Sequence, residues 1–310
     1  MNAASQRVAY GESLVRMGRM DERIVVLEAD LGKSTMGAMF EKEIHERFFE
    51  MGIAEANMAG VSAGLALGGH IPFMATFAVF ATGRCYDQLR TGICIPALNV
   101  KICGSSAGLS DYGDGSTHQA IEDIATMRVL PNMQVFSPVD AVQTRQIMKY
   151  MASHEGPMYI RINRNDLPVY CKENDEFVPG HIQLMREGKD AVVFATGVMV
   201  SLALNAAAQL EKEGISLKVI NVPSIKPLDG KAVCEAIRGI HIIGTAEEHS
   251  VVGGLGSAIL EQLAAIEHAP IRLIGVMDQF GTSAENYEVL LQKYGLTAER
   301  IADEIRSAIG

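Results

Sequence analysis

The sequence predicts an α/β protein: a first domain on a mostly parallel sheet, followed by a smaller α/β domain. Short apolar runs of strand length alternate with segments of helical period along almost the whole chain. The alternation pauses once, over residues 169–190, a polar stretch bearing Pro179 and Gly180 that shows neither period. The chain's 310 residues, 48% of them hydrophobic, are enough to fill two cores. Domains are therefore placed at residues 1–170 and 190–310, with 171–189 as a linker.

In chain order, the first domain offers apolar runs at 24–27, 48–51, 72–75, 100–103, 134–136 and 158–161 as strands. Between them, apolar residues recur with helical period at 8–17, 54–67, 82–93, 118–127 and 141–151. A strand-helix-strand succession of this kind makes parallel neighbours. Beyond the polar stretch, strands are expected at 191–195, 217–221, 240–245 and 271–275, and helices at 200–213, 231–238 and 254–266. A last pair of helices, 286–294 and 298–309, is divided by Gly295, and Thr297 stands where a cap opens the second.

One stretch has an unusual composition. Gly52 permits a sharp change from strand to helix, and Glu55 then stands one turn into a segment of small residues: Ala54, Ala56, Ala59, Gly60, Ala63, Gly64 and Ala66. Such a segment lets another backbone approach closely. A carboxyl group in so dry a setting has its neutral form favoured, the state wanted for sharing a proton with a heteroaromatic nitrogen. The alternative is a solvated residue at a helix start, interacting with the helix dipole.

Two glycine-rich stretches invite a cofactor. Gly253-Gly254-Leu255-Gly256-Ser257-Ala258 is superficially like a dinucleotide fingerprint, but it lies well after a strand end and lacks the third glycine. The expectation is a helix start packed on a sheet. Gly113-Asp114-Gly115 opens like a metal-diphosphate motif, yet the asparagine pair that would complete the oxygen ligands is missing and only Asn132 follows, so no metal is expected here. The flexible loop 104–117 instead delivers Asp114 and His118 side by side at a helix start. A carboxylate and an imidazole there suit hydrogen bonds to substrate hydroxyls, and an ordinary loop with a cap residue remains the other reading.

A net charge of −10 and a pI near 5.3 argue against a partner held through nucleic-acid phosphates. The N-terminus lacks the pattern of a secretory signal, and no apolar run reaches the length of roughly 18 residues that a bilayer requires, so the cytoplasm is the expected location. Five cysteines without a CxxC pair indicate free thiols rather than a disulfide framework or a zinc site.

Several of these strings occur together in a telling order: Gly52-Ile53-Ala54-Glu55, Ala75-Thr76-Phe77-Ala78-Val79-Phe80, Asp114-Gly115-Ser116-Thr117-His118-Gln119, Arg128-Val129-Leu130-Pro131-Asn132-Met133 and Pro138-Val139-Asp140. In that order they resemble the C-terminal half of transketolases, a pyrimidine-binding domain followed by a C-terminal domain, and the resemblance covers essentially the whole chain. It implies one subunit of a split transketolase. Such a subunit moves a two-carbon ketol unit from a ketose to an aldose with thiamine diphosphate. The N-terminal partner subunit would bind the diphosphate and magnesium, in an assembly of two chains of each kind. Similar halves occur as β subunits of 2-oxo acid dehydrogenases and in deoxyxylulose-phosphate synthase, toward which Cys85-Tyr86-Asp87-Gln88 leans. A noncatalytic subunit that keeps the fold is a further alternative.

The resemblance also implies roles. Glu55 matches the glutamate that hydrogen-bonds the aminopyrimidine nitrogen and promotes the imino tautomer. Phe77 and Phe80 match the aromatic residues enclosing that ring, where core packing is the plain alternative, and Gly83 stands where a further aromatic is usual. Asp114 and His118 match the pair that contacts the ketose hydroxyls. Arg164 matches an arginine at the sugar phosphate, and Ser34, four residues after the cofactor-side Asp30, matches a serine there, with a helix cap as its alternative. Ser106 falls where the family has a phosphate-binding histidine. Arg7 lies one position away from the arginine expected in the first helix.

Overall fold

A computed structural model describes residues 2–309 of the chain. Its strands, in chain order, are β1 (Ala3–Ser5), β2 (Ile24–Glu28), β3 (Phe48–Glu50), β4 (Ile71–Phe77), β5 (Lys101–Ser105), β6 (Gln134–Phe136), β7 (Met158–Arg161), β8 (Asp166–Pro168), β9 (Gln183–Arg186), β10 (Ala191–Ala195), β11 (Leu217–Asn221), β12 (Ser224–Lys226), β13 (Ile242–Ser250) and β14 (Ile271–Val276). A seven-stranded sheet has the order β12-β6-β7-β5-β4-β2-β3, parallel except at β12. A five-stranded sheet has the order β14-β13-β10-β11-β9, parallel except at β9. β1 and β8 form a separate antiparallel pair, which ties the start of the chain to the end of the first domain.

The continuous apolar character of the inner strands follows from burial on both faces. All of β2 is buried: Val25 and Leu27 pack with Met58, Met74 and Ile102, while Ile24 and Val26 face Tyr10, Leu14, Phe73 and Ile147 on the other side. The helices Gln6–Met20 and Ala141–Ser153 close that second side, and Glu55–Leu67 lies against β4 on the first. Val192 and Phe194 of β10, with Leu255 and Ile259, belong to the same apolar cluster as Val25 and Leu27. The two sheets thus share one core. The opposite face of β10, Ala191, Val193 and Ala195, is covered by the helices Met199–Glu211 and Ala298–Ile309.

Four expectations change. The stretch 169–190 is not without structure: Gln183–Arg186 is the antiparallel edge of the second sheet. The start of this stretch is pinned, because Asp140, which caps the Ala141–Ser153 helix through Gln143 N–H at 2.7 Å, accepts Tyr170 N–H and Cys171 N–H with its other oxygen at 2.6 and 2.8 Å. The helix expected over 82–93 is divided into Ala78–Gly83, Tyr86–Gln88 and a π-helical turn Leu89–Cys94, with the break at Arg84 and Cys85. The helix expected over 118–127 begins only at Asp123, so His118 follows a short 3-10 turn, Gly115–Thr117, instead of opening a helix. Finally, β13 does not end at Thr245 but carries Glu247, Glu248 and His249 into the interior. The cap expected at Thr297 is present, accepting Arg300 N–H at 3.1 Å.

A buried ion pair of the first domain also reaches the second domain through a hydrogen bond. Arg161, at the end of β7, donates to both oxygens of Asp123 at 2.8 and 3.0 Å, and Tyr159 donates to the same carboxylate at 2.8 Å. Arg161 also reaches the Glu248 carbonyl at 3.2 Å. Replacing Asp123 with Asn leaves a buried guanidinium without its counter-charge. The expected cost is about 3–5 kcal/mol of folding stability, read from the shift of a urea unfolding curve. A cost below about 1 kcal/mol would mean that the pair carries no more than a surface ion pair does.

Candidate functional site

The parallel strands β2, β3, β4, β5 and β7 present their carboxyl ends along one edge, and the residues singled out from the sequence follow these ends: Asp30, Glu55, Phe77, Ser106 and Arg164. From β2 the chain moves to β3 on one side, then crosses to β4 on the other. That reversal is the place where open α/β sheets have their crevice.

Gly52 makes the turn out of β3 with φ +67°, a conformation cheap only for glycine. The exposed Glu50 braces this turn, its Oε1 accepting both Gly52 N–H and Asp30 N–H at 2.8 Å. Glu55 is the first residue of the Glu55–Leu67 helix and is only 4% exposed. The burial expected of it is observed, but its setting is not wholly apolar: Arg84 Nη1 donates to Oε1 at 2.6 Å. The Arg84 guanidinium carbon lies 3.8 Å from the Phe80 ring centroid, and its side chain is 47% exposed. A flat nitrogen-bearing group therefore bonds to Glu55 and stacks on Phe80 at once. The small residues beside it divide: Ala59 is buried in the core and Ala56, Ala63 and Ala66 pack against it, whereas a Cβ placed at Gly60 or Gly64 would meet nothing within 4 Å.

Phe77 and Phe80 lie nearly parallel, 6.1 Å between centroids at 15°, and His118 stands edge-on to both at 6.1 and 5.2 Å. This brings His118, from the loop after β5, to the aromatic pair at the end of β4. Its Nδ1 is 2.9 Å from the Thr117 hydroxyl, which leaves Nε2 for a ligand. Asp114 is exposed, and the buried Asp111 senses both Asp114 and His118.

Arg164 approaches the same aromatic face, 5.8 Å from the Phe77 centroid, and its Nη1 is 3.4 Å from Asp111 Oδ2. Burial pushes the Asp111 carboxyl up in pKa, against the pull of Arg164. Arg7 donates to the Arg164 carbonyl at 3.0 Å and to the Ser34 carbonyl at 2.9 Å, and burial together with Arg164 draws its pKa down. Arg7 thus belongs to this cationic corner although its sequence position is displaced by one. Ser34 lies inside the short helix Gly32–Thr35 rather than at its cap.

Ser106 is fully buried at φ +53°, and its Oγ has no hydrogen-bond partner among the described residues. Asp30 is exposed at φ +59° and is tied to the site through its backbone. Asp111 was missed by sequence reasoning, since nothing in the local pattern marks it apart from its place three residues before Asp114. Glu28 was also missed. It is buried behind the Asp30 turn, receives Thr35 Oγ1 at 2.6 Å, and has its pKa pushed well above the carboxylate range by desolvation.

The glycine-rich stretch 253–258 supplies a helix start, as expected. The N-terminus of Leu255–Leu263 is already satisfied by Glu247, which accepts Leu255 N–H at 2.6 Å and Gly256 N–H at 2.8 Å. A Cβ at Gly254 would fall 1.9 Å from the same carboxylate. The position a dinucleotide phosphate would take is filled by the protein's own acid.

Comparison with known proteins agrees with this architecture. Residues 2–169 match the model of the transketolase pyrimidine binding domain, and residues 180–301 that of the transketolase C-terminal domain. A putative transketolase C-terminal section from Methanocaldococcus jannaschii is 40% identical over 96% of this chain and 94% of that protein. A 6-deoxy-6-sulfo-D-fructose transketolase subunit from a Clostridium species is 41% identical over 95% of this chain and 91% of that protein. A solved structure described as a split gene transketolase, inactive beta4 tetramer, superposes with a TM-score of 0.89 at 47% identity, covering 99% of both chains. The chain therefore belongs to the transketolase family, with the pyrimidine-binding and C-terminal domains in that order.

Proposed function

We propose that this chain is a subunit of a thiamine-diphosphate-dependent transketolase. In this reading it moves a two-carbon ketol unit from a ketose donor to an aldose acceptor. It acts only with a partner subunit that carries the diphosphate and magnesium site, in an α2β2 assembly in the cytoplasm. The observation that supports this reading best is Arg84, whose planar cation makes the two contacts an aminopyrimidine needs: a hydrogen bond to Glu55 and a stack on Phe80. The residues present fit the cofactor's ring. When bound, thiamine diphosphate supplies the nucleophilic carbon, a chemistry that no side chain provides.

The chain's own residues take the remaining tasks. Glu55 holds a proton at the ring nitrogen, and Phe77 and Phe80 fix the plane of the ring and keep water from it. Asp114 and His118 bind sugar hydroxyls, with His118 held edge-on against the aromatic pair. Arg164, Arg7 and Ser34 form a corner with two guanidinium groups, suited to an anionic group at the far end of the sugar, where a guanidinium fork fits a phosphate or a similar oxyanion. In this reading Ser106, whose hydroxyl has no partner among the described residues, is kept for the substrate, and Asp30 shapes the cofactor side of the rim.

Three measurements test this reading. The purified chain with thiamine diphosphate and magnesium is expected to show no ketol transfer until the partner is added, and turnover by the chain alone would overturn the partner requirement. In the assembled enzyme, Glu55→Ala is expected to lower turnover by a factor of about 100 or more with an unchanged circular dichroism spectrum. Unaltered turnover would instead indicate a scaffold. Arg84→Ala removes the group that competes for Glu55, so the cofactor should bind roughly ten-fold more tightly in a fluorescence titration, and weaker binding would show that Arg84 belongs to the bound state.

A further inference from the structure

The loop that carries Asp114 and His118 is held by the other domain. Glu248, buried near the end of β13, accepts Leu109 N–H on Oε1 at 2.8 Å and Asn163 Nδ2 on Oε2 at 3.2 Å. Asn163 also donates to the Tyr287 hydroxyl at 2.8 Å. Gly108, at φ +67°, is where the loop passes this carboxylate, and a Cβ there would stand 2.4 Å from Glu248 Cδ. Two neighbouring contacts repeat the arrangement: Gln119 Nε2 donates to the Thr282 carbonyl at 2.9 Å, and Ala284 N–H donates to the Tyr112 carbonyl at 2.9 Å. The contacts of Leu109, Tyr112 and Gln119 join the loop and its stem to the C-terminal domain, and those of Asn163 join the segment after β7 to it.

We propose that Glu248 is a positioning residue for this loop: by holding Leu109 N–H it sets where Asp114 and His118 stand, which makes the C-terminal domain part of the substrate-binding apparatus. The link to sugar binding rests on the function proposed above, while the link to loop order does not. The anchor is suited to the task because a buried carboxylate offers two acceptors to donors that have no water to turn to. The groups facing it are Arg161 from β7, Asp123 from the Asp123–Arg128 helix, Tyr287 from the Tyr287–Lys293 helix, and the amides of Leu109 and Asn163. Its neighbours on β13 face elsewhere, Glu247 to the Leu255–Leu263 helix and His249 to Ala125 and Ser250. Burial raises its pKa to about 7, with Arg161 and the hydrogen bonds pulling the other way. The carboxylate is therefore intact above that pH and takes up a proton as pH falls through it, losing one acceptor where two donors wait.

Hydrogen exchange measured by mass spectrometry on the full chain tests this without any sugar. At pH 8, peptides spanning residues 107–118 are expected to exchange roughly ten-fold faster in Glu248→Gln than in the natural chain, with the β10 peptide unchanged. In the natural chain, lowering the pH to 6 should loosen the same peptides once the intrinsic exchange rate is corrected for, and Glu248→Gln should lose that dependence. Equal loop protection in both proteins and at both pH values overturns the proposal. If the β10 peptide also opens in the variant, the fold has been lost, and the pH comparison on the natural chain alone decides. In the assembled enzyme Glu248→Gln should raise the donor KM about ten-fold with a smaller change in kcat. A loosened loop in an assembly that transfers no ketol unit would overturn the proposed function and leave the positioning role standing. An unchanged loop in an active assembly would do the reverse.

Discussion

The interiors of both sheets are dry, and that constraint decides where polar chemistry can occur. β2, β4, β5 and β7 are buried along their whole length, so no side chain on these four strands is free to meet a ligand. Beyond the carboxyl ends of the parallel strands come Asp30, Glu55, Ser106 and Arg164, and there Arg84 joins Glu55 to the Phe80 ring while Arg164 approaches Phe77. In the second sheet the central strand β10 is buried in the same way. The carboxyl end of β13 delivers Glu248 to the loop that follows β5, so the ends of two sheets converge on one region.

Four glutamates show how environment separates identical side chains. Glu28 has one hydroxyl partner and, among the described residues, an oxygen left without any, and desolvation dominates it. Glu247 is spread over two amides at a helix start, and Glu248 over a loop amide and Asn163. Glu55 alone is paired with a half-exposed guanidinium, a partner able to leave without stranding a second charge in the interior. Exchange of partners is therefore cheapest at Glu55 and most costly at Glu247, whose two donors are backbone amides at a helix start.

Much of the fold was legible because apolar period and burial coincide. The strands expected at 134–136, 158–161, 191–195 and 217–221 agree with β6, β7, β10 and β11 to the residue. Errors arose where polar residues are buried or apolar ones bent. The β13 strand looked finished at Thr245 because two acids and a histidine followed, and only their partners in the other domain make their burial tolerable. The helix expected over 82–93 was read as one piece, yet the chain turns at Arg84, which places a guanidinium over Phe80. At the candidate site, the glutamate after Gly52 and the paired phenylalanines were visible as local patterns. Asp111 and the contact of Arg7 with Ser34 and Arg164 depend on residues far apart in sequence, and no local pattern announces them.

The short strand β12 comes from the sequence of the second domain but lies on the rim of the first sheet, beside β6. A gene cut at the apparent domain boundary would therefore yield an amino-terminal fragment whose outermost strand displays bare amide and carbonyl groups, an invitation to stick to its own copies. The halves of this molecule are modular in outline but not in manufacture: neither a graft nor a shortened version can exchange one for another without also supplying that borrowed strip of backbone.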